Sequence, residues 1–437
     1  MIDSIQGESD APVWARENAF PEAPAGWGWV DAKGKSHPCE SIDSLTTAIR
    51  NDPDAQVMLV WTPDHKRMLV PEELIEMDDA LRTARARWTQ SDLETATRKL
   101  RGLGLLVIGL GALTFFKSFG SPAVEHLSLA DRMLSAALAM MESTKCGLAL
   151  LAFVIFAFIP WYQARKQHRE LPSWTTEAIA KAVPAMRFEI WLERQKAPLT
   201  RVLVGLISMV GLAQIMCHYP SEGLGSLLSV FHNWDGTAAA GLIKDHYRHG
   251  EWWRLFTAPF LHGNIVHFLM NASALLYLGK RVEVFARWPH LPMVFLFAAC
   301  VGGEASVRLV AAPTVGASGG LMGLLGFLLV FETLHARLVP RNARRRLAGG
   351  VILTALIGLV GFRYIDNAAH IGGLLAGIIY AVIVFPKSSS PARPRTNLTD
   401  RIAGSLAMMI LIAVAALSIW MILHEGMMPS NQSLQTF

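Results

Sequence analysis

Nine runs of apolar residues punctuate the chain, at about 102–118, 146–163, 201–218, 255–279, 292–312, 317–336, 348–361, 368–386 and 403–423. All but the 14-residue run at 348–361 come close to or exceed the roughly 20 residues that a helix needs to cross a hydrocarbon core. In that core every backbone N–H and C=O must be bonded within the segment, so runs of this length are expected to be helices. Composition agrees: 52% of the 437 residues are hydrophobic and 17% charged, against about 25% charged in soluble proteins. A large soluble enzyme is therefore excluded, and a multi-pass membrane protein is expected.

The net charge of +5 would suggest nucleic acid in a soluble domain, but Lys and Arg lie in short segments between apolar runs, where they orient spans. No nucleic-acid partner is expected. Arg165, Lys166, Arg169, Lys181 and Arg187 precede the third span, Lys280, Arg281 and Arg287 follow the fourth, Arg344, Arg345 and Arg346 follow the sixth, and Lys387, Arg393 and Arg395 follow the eighth. Alternation of basic and charge-poor loops, the latter including Phe362 to Asn367 with its single Arg363, predicts a cytoplasmic amino terminus and an external carboxyl terminus. Cys39, Cys146, Cys217 and Cys300 lie far apart and suggest neither a zinc site nor a disulfide framework.

Residues 1–100 have ordinary soluble composition. The acidic opening, Met1 to Asp10, lacks the basic start and apolar stretch of a cleavable signal peptide. GWGWVDAKG and QVMLVWTPDHKRMLV read as strands with turns at Ala32-Lys33-Gly34 and Pro63-Asp64, and DSLTTAIRND between them as a helix. A small α/β domain followed by an amphipathic helix over 72–101 is predicted.

Three segments carry polar groups inside apolar surroundings, where they are costly and tend to be functional. LHGNIVHFLMNASALLYLG places His262, His267 and Asn271 in the outer part of the fourth span, His267 and Asn271 sharing a helix face. VGASGGLMGLLG sets Ser318 among glycines at the start of the sixth span. FRYIDNAAHIGGLLAG sets His370 in the first turns of the eighth. These three spans run in the same direction, and small-residue faces (Gly319 and Gly323; Gly373 and Gly377) would let two of them pack closely. A serine hydroxyl and an imidazole could then meet as nucleophile and base. Asp366 reads as a helix N-cap, and Glu304 with Arg308 as an ion pair four residues apart.

Trp253-Arg254, His267-x-x-x-Asn271, Tyr277-Leu-Gly continuing to Glu283, Gly316-x-Ser318-Gly319, and Ala369-His370 with Gly373-x-x-x-Gly377, in that order on alternate spans, resemble the rhomboid intramembrane serine proteases. The resemblance covers roughly residues 200–386. It implies an all-α polytopic fold with a six-helix core at 200–386; outside what the resemblance accounts for lie a two-span extension and linker at 101–199, a linker and added span at 387–437, and the soluble α/β domain at 1–100. It further implies Ser318 as nucleophile, His370 as general base, Asn271 and His267 with Gly316 as the oxyanion and substrate-positioning group, and Trp253 and Arg254 in an outer loop lying partly in the membrane. Glu283, Gly319, Gly373 and Gly377 belong to its structural motifs. Met322 stands where many relatives have an aromatic residue, and its thioether can fill that space.

The implied activity is a serine endopeptidase cleaving peptide bonds in or beside transmembrane segments of single-span proteins in the bilayer, with no metal or organic cofactor. The alternative is a catalytically inactive relative that binds membrane-protein clients. A bacterial inner membrane is the preferred location. Rival intramembrane chemistries lack their signatures: there is no His-Glu-x-x-His, no pair of membrane aspartates and no internal repeat of the transporter kind.

Overall fold

A computed structural model describes residues 11–52, 57–218, 236–361 and 365–427. Met1 to Asp10 and Arg363, which entered the sequence reading above, lie outside the described residues. The chain divides into two compact units, one built chiefly from residues 14–191 and the other from 192–354 and the residues after 364.

The first unit opens with a three-stranded antiparallel sheet in the order β2-β1-β3, from β1 (Trp27–Asp31), β2 (Ser36–Cys39) and β3 (Val57–Trp61). The β1–β2 turn is held by Asp31, whose carboxylate accepts the N–H groups of Lys33 and Lys35 at 2.9 and 2.8 Å. Helix α1 (Ile42–Asn51) begins at Ser41, which forms a reciprocal capping box with Ser44. Its apolar stripe, Leu45 and Ile49, packs on Val60, Leu74 and Met77. The helix and the strands before and after the Ala32-Lys33-Gly34 turn and before the Pro63-Asp64 turn are present, but the segment after Pro63-Asp64 makes only isolated bridges, Arg67 with Glu22 and Leu69 with Val60.

Next comes α2 (Asp78–Phe119), a single helix of 42 residues. The amphipathic segment and first apolar run expected as successive features are thus one uninterrupted element. Its apolar carboxyl-terminal half is exposed, with Leu105, Ile108, Leu113 and Phe116 at 66–70%, the surface expected of a lipid-facing helix. Helix α3 (Leu129–Glu142), in a stretch where no element was predicted, starts at the Ser128 cap. The second run spans α4 (Thr144–Phe153), a π-helical turn (Val154–Phe158) and α5 (Ile159–Glu170). Helix α6 (Thr176–Arg194) follows, and its Arg187 donates to Glu73 at 2.6 Å.

The second unit contains α7 (Pro198–His218), α8 (Ile265–Phe285), α9 (His290–Leu309), α10 (Ser318–Leu334), α11 (Arg341–Val360) as far as Thr354, α12 (Asn367–Val384) and α13 (Leu398–Met427). Helix α10 packs against α8, α9 and α12, and α9 also packs against α12 and α13. All nine apolar runs are therefore helical over most of their length. Among the described residues, six helical segments are long and apolar enough to cross a bilayer. The other three fall short for separate reasons. Helix α8 carries Lys280, Arg281 and Glu283, α10 has 17 residues, and α11 opens with Arg341, Arg344, Arg345 and Arg346.

One expected boundary is corrected. The fourth run begins at residue 255, but Arg254–Thr257 and Ala258–Phe260 are single helical turns, and α8 starts only at Ile265 after the Asn264 cap. Pro259 and Gly263 interrupt the run, and Asn264 restarts the helix by accepting the N–H of His267 at 2.9 Å. His262 thus precedes the helix.

Candidate active site

Two of the close-packing glycine pairs meet as the sequence suggested. A Cβ placed on Gly373 would collide with the Gly319 carbonyl, and one on Gly377 with the Gly323 carbonyl. The amino-terminal halves of α10 and α12 are therefore in backbone contact. Ser318 is the first residue of α10, and His370 lies in the first turn of α12. The residues beside them also approach each other, because a Cβ on Gly319 would lie 3.6 Å from the Ala369 carbonyl. Ser318, Gly319 and Ala369 line one small cleft with Leu242, Leu255 and Gly303.

Gly316 has φ +122°, a conformation open to glycine alone at little cost. A Cβ there would meet the His267 ring at 2.6 Å and the Asn271 amide nitrogen at 3.4 Å. Those two side chains from α8 thus abut the backbone two residues before Ser318. Asn271 is 5% exposed, and its Nδ2 is buried with no hydrogen-bond acceptor among the described residues. A buried amide donor of this kind costs about 1–3 kcal/mol when unsatisfied, and it invites an acceptor carried by a ligand. The His262 ring packs edge-on to His267, centroids 5.2 Å apart, and to Phe268.

The segment before α8 is anchored by polar groups rather than by helix. The Arg254 guanidinium donates to Glu251 at 2.6 Å and to the carbonyls of Ala238 and Gly241 at 2.8 Å each, and lies over the Trp253 ring at 4.6 Å. Trp253-Arg254 is therefore a folding clamp for this segment. The Gly316 N–H donates to the Ala258 carbonyl at 2.9 Å, and Leu242 and Thr314 exchange backbone hydrogen bonds at 3.0 and 3.2 Å. Glu304 accepts from Arg308 at 2.7 Å, as expected, and also from the Tyr247 hydroxyl at 3.0 Å. Asp366 caps α12, accepting the Ala369 N–H at 2.9 Å.

At the opposite end of the helices, Glu283 caps α7 by accepting the N–H groups of Leu199 and Thr200 at 3.1 and 2.9 Å. Arg281 and Glu332, each 1% exposed, pair at 2.7 Å. Met322 is buried. Gly373 and Gly377 are close-packing residues, and Glu283 is a helix cap remote from Ser318.

Sequence reasoning missed three contributors. Gln214 clamps the backbone of His262, accepting its N–H at 2.9 Å and donating to its carbonyl at 3.1 Å. A lone glutamine in an apolar run was the available signal. Gly302 of α9 faces the Ala369 carbonyl, at 2.6 Å from a Cβ built there. Lys244 is 3% exposed and donates to Thr314.

Comparison with known proteins bears on the same stretch. Residues 249–387 match the model of the Rhomboid domain. The chain is 36% identical over 146 residues to Rhomboid protease GluP of Bacillus subtilis (strain 168), covering 32% of this chain and 28% of that protein. It is 28% identical over 182 residues to RHOMBOID-like protein 4 of Arabidopsis thaliana, covering 39% and 46%. It is also 30% identical over 139 residues to Inactive rhomboid protein 2 of Homo sapiens, covering 31% and 16%. Each match spans less than half of the relative's length.

Proposed function

The chain is a multi-pass membrane protein of the rhomboid family, and from that premise we propose that it is an intramembrane serine endopeptidase working through Ser318 and His370. The supporting observation is the backbone contact of α10 with α12, which brings the turn bearing a hydroxyl against the turn bearing an imidazole. His370 takes the Ser318 proton as the hydroxyl oxygen attacks the substrate carbonyl carbon. The oxyanion accepts from the unpaired Asn271 amide, from His267, and from the Ser318 N–H at the start of α10. Collapse expels the amine, which receives the proton from His370. Water, deprotonated by the same base, then releases the acyl group from Ser318.

A 17-residue α10 is about 25 Å long at 1.5 Å per residue, less than the roughly 30 Å hydrocarbon core. With its far end at one interface, its Ser318 end lies several ångströms inside the other. Substrates are accordingly single-span membrane proteins. A peptide bond hidden in a helix must be unwound to reach Ser318, and the cleft's small lining residues favour small side chains at the cut. Residues 200–386 form the protease core, with 1–100, 101–199 and 387–437 as accessory regions. The amino terminus is cytoplasmic and the membrane a bacterial inner membrane.

The test is cleavage of a model single-span substrate by purified protein beside Ser318→Ala and His370→Ala. The parent should cut and both variants should not. Variants that cut as fast as the parent refute the dyad, and a parent that binds the substrate without cutting it establishes the inactive client-binding alternative.

A further inference from the structure

Four side chains far apart in sequence converge behind the Ser318–His370 region. The Asp366 carboxylate uses one oxygen to cap α12, accepting the Ala369 N–H at 2.9 Å. Its other oxygen accepts the Thr314 hydroxyl at 2.7 Å and a short hydrogen bond from Ser306, which is fully buried. The two hydroxyls lie 3.0 Å apart. The buried Lys244 ammonium donates to the same Thr314 oxygen. Thr314 is four residues before Ser318, and Asp366 is four residues before His370.

Both lead-in segments are otherwise fixed. The Thr314 backbone is bonded in both directions to Leu242, and the His370 N–H donates to the Asp366 carbonyl at 3.1 Å. Neither set of bonds joins one lead-in to the other. The Thr314–Asp366 hydrogen bond does; it is half-buried, and its carboxylate acceptor strengthens it. The Lys244 ammonium, bonded to that Thr314 hydroxyl, brings a positive charge near the half-buried carboxylate.

We propose that Thr314 and Asp366 are positioning residues, a tie between the two lead-in segments that sets the spacing of Ser318 and His370. The inference rests on the protease reading above. Thr314 also borders the cleft beside Ser318, so its positioning role is read from kcat apart from KM. Their loss lowers the fraction of molecules with the dyad in register, so kcat falls while KM holds.

The decisive variant is Thr314→Val, which keeps side-chain volume, backbone pairing and the α12 cap but deletes the hydroxyl. With a single-span model substrate, kcat is expected to fall roughly ten- to a hundredfold with KM within about twofold. Thr314→Ser should restore kcat to near that of the parent. A merely structural role would lower stability without this split and without hydroxyl-specific rescue. Ser306→Ala, which removes a second donor from the same carboxylate, should show a smaller effect of the same kind, and it stands in should Thr314→Val not fold. Parental kcat in a folded Thr314→Val, or in Ser306→Ala where only that variant folds, overturns the tie while leaving the protease reading intact. An inert parent sinks both.

Discussion

Gly302→Ala probes how tightly the base is held from behind. A Cβ at residue 302 lies 2.6 Å from the Ala369 carbonyl oxygen and 3.4 Å from the Gly373 nitrogen. Ordinary contact begins near 3.4 Å, so the first distance is short by about 0.8 Å. The obstructing atom is backbone and cannot rotate away, unlike the end of a flexible side chain. Because that carbonyl belongs to the residue before His370, relief requires the first turn of α12 to move by most of that 0.8 Å, carrying the imidazole with it. Misplacement by about 1 Å costs on the order of a hundredfold in rate, and overpacking costs about 1–3 kcal/mol in stability. Cleavage of a single-span substrate should therefore slow by roughly tenfold or more while the protein stays folded. Gly349→Ala, where a Cβ meets nothing within 4 Å, should leave the rate unchanged. A Gly302→Ala protein that cuts at the parental rate would refute the claim that α9 backs the base through this contact.

Three further outcomes follow from the geometry. Asn271→Ala should lower kcat by about 10²–10³ with KM little changed, as loss of one oxyanion donor does; a fall in KM-governed binding alone would argue against the role. Arg281→Met leaves the buried Glu332 carboxylate without this partner and should cost about 3–5 kcal/mol in denaturation, with the double variant Arg281→Met/Glu332→Leu recovering much of it. Burial pushes the Lys244 ammonium down to about 8 from its ordinary 10.5, with Asp366 opposing and Arg248 adding to the fall. The unfolded chain then holds more protons between those values, so stability rises with pH through that window, by roughly 3 kcal/mol at 1.36 kcal/mol per pH unit. Lys244→Met should flatten that rise in detergent-solubilised protein; an unchanged slope would assign it to other groups.

The membrane helices were legible because the bilayer forces apolar length, and the motif residues because polar groups among apolar ones are conspicuous. Asp366 announced α12 through N-cap chemistry, whereas the Asn264 cap of α8 passed unread inside an apolar run. The start of α8 was misjudged because Leu255 to Leu261 are apolar, yet Pro259 and the clamped His262 backbone hold them out of the helix. Hydropathy cannot distinguish a buried loop from a span. Gly302 was unreadable as a packing partner of Ala369, since its glycine signal resembles any other. The Lys244, Ser306, Thr314 and Asp366 cluster was invisible for a different reason: its members are ordinary residues whose meaning arises only when three separate segments converge.

The central claim is that Ser318 is made nucleophilic by His370. Covalent labelling by a serine-directed fluorophosphonate, mapped by peptide mass spectrometry in the parent and in His370→Ala, tests it most directly. The label should reside on Ser318 in the parent and be nearly lost in His370→Ala. A label on another residue, or equal labelling of both proteins at Ser318, would contradict it.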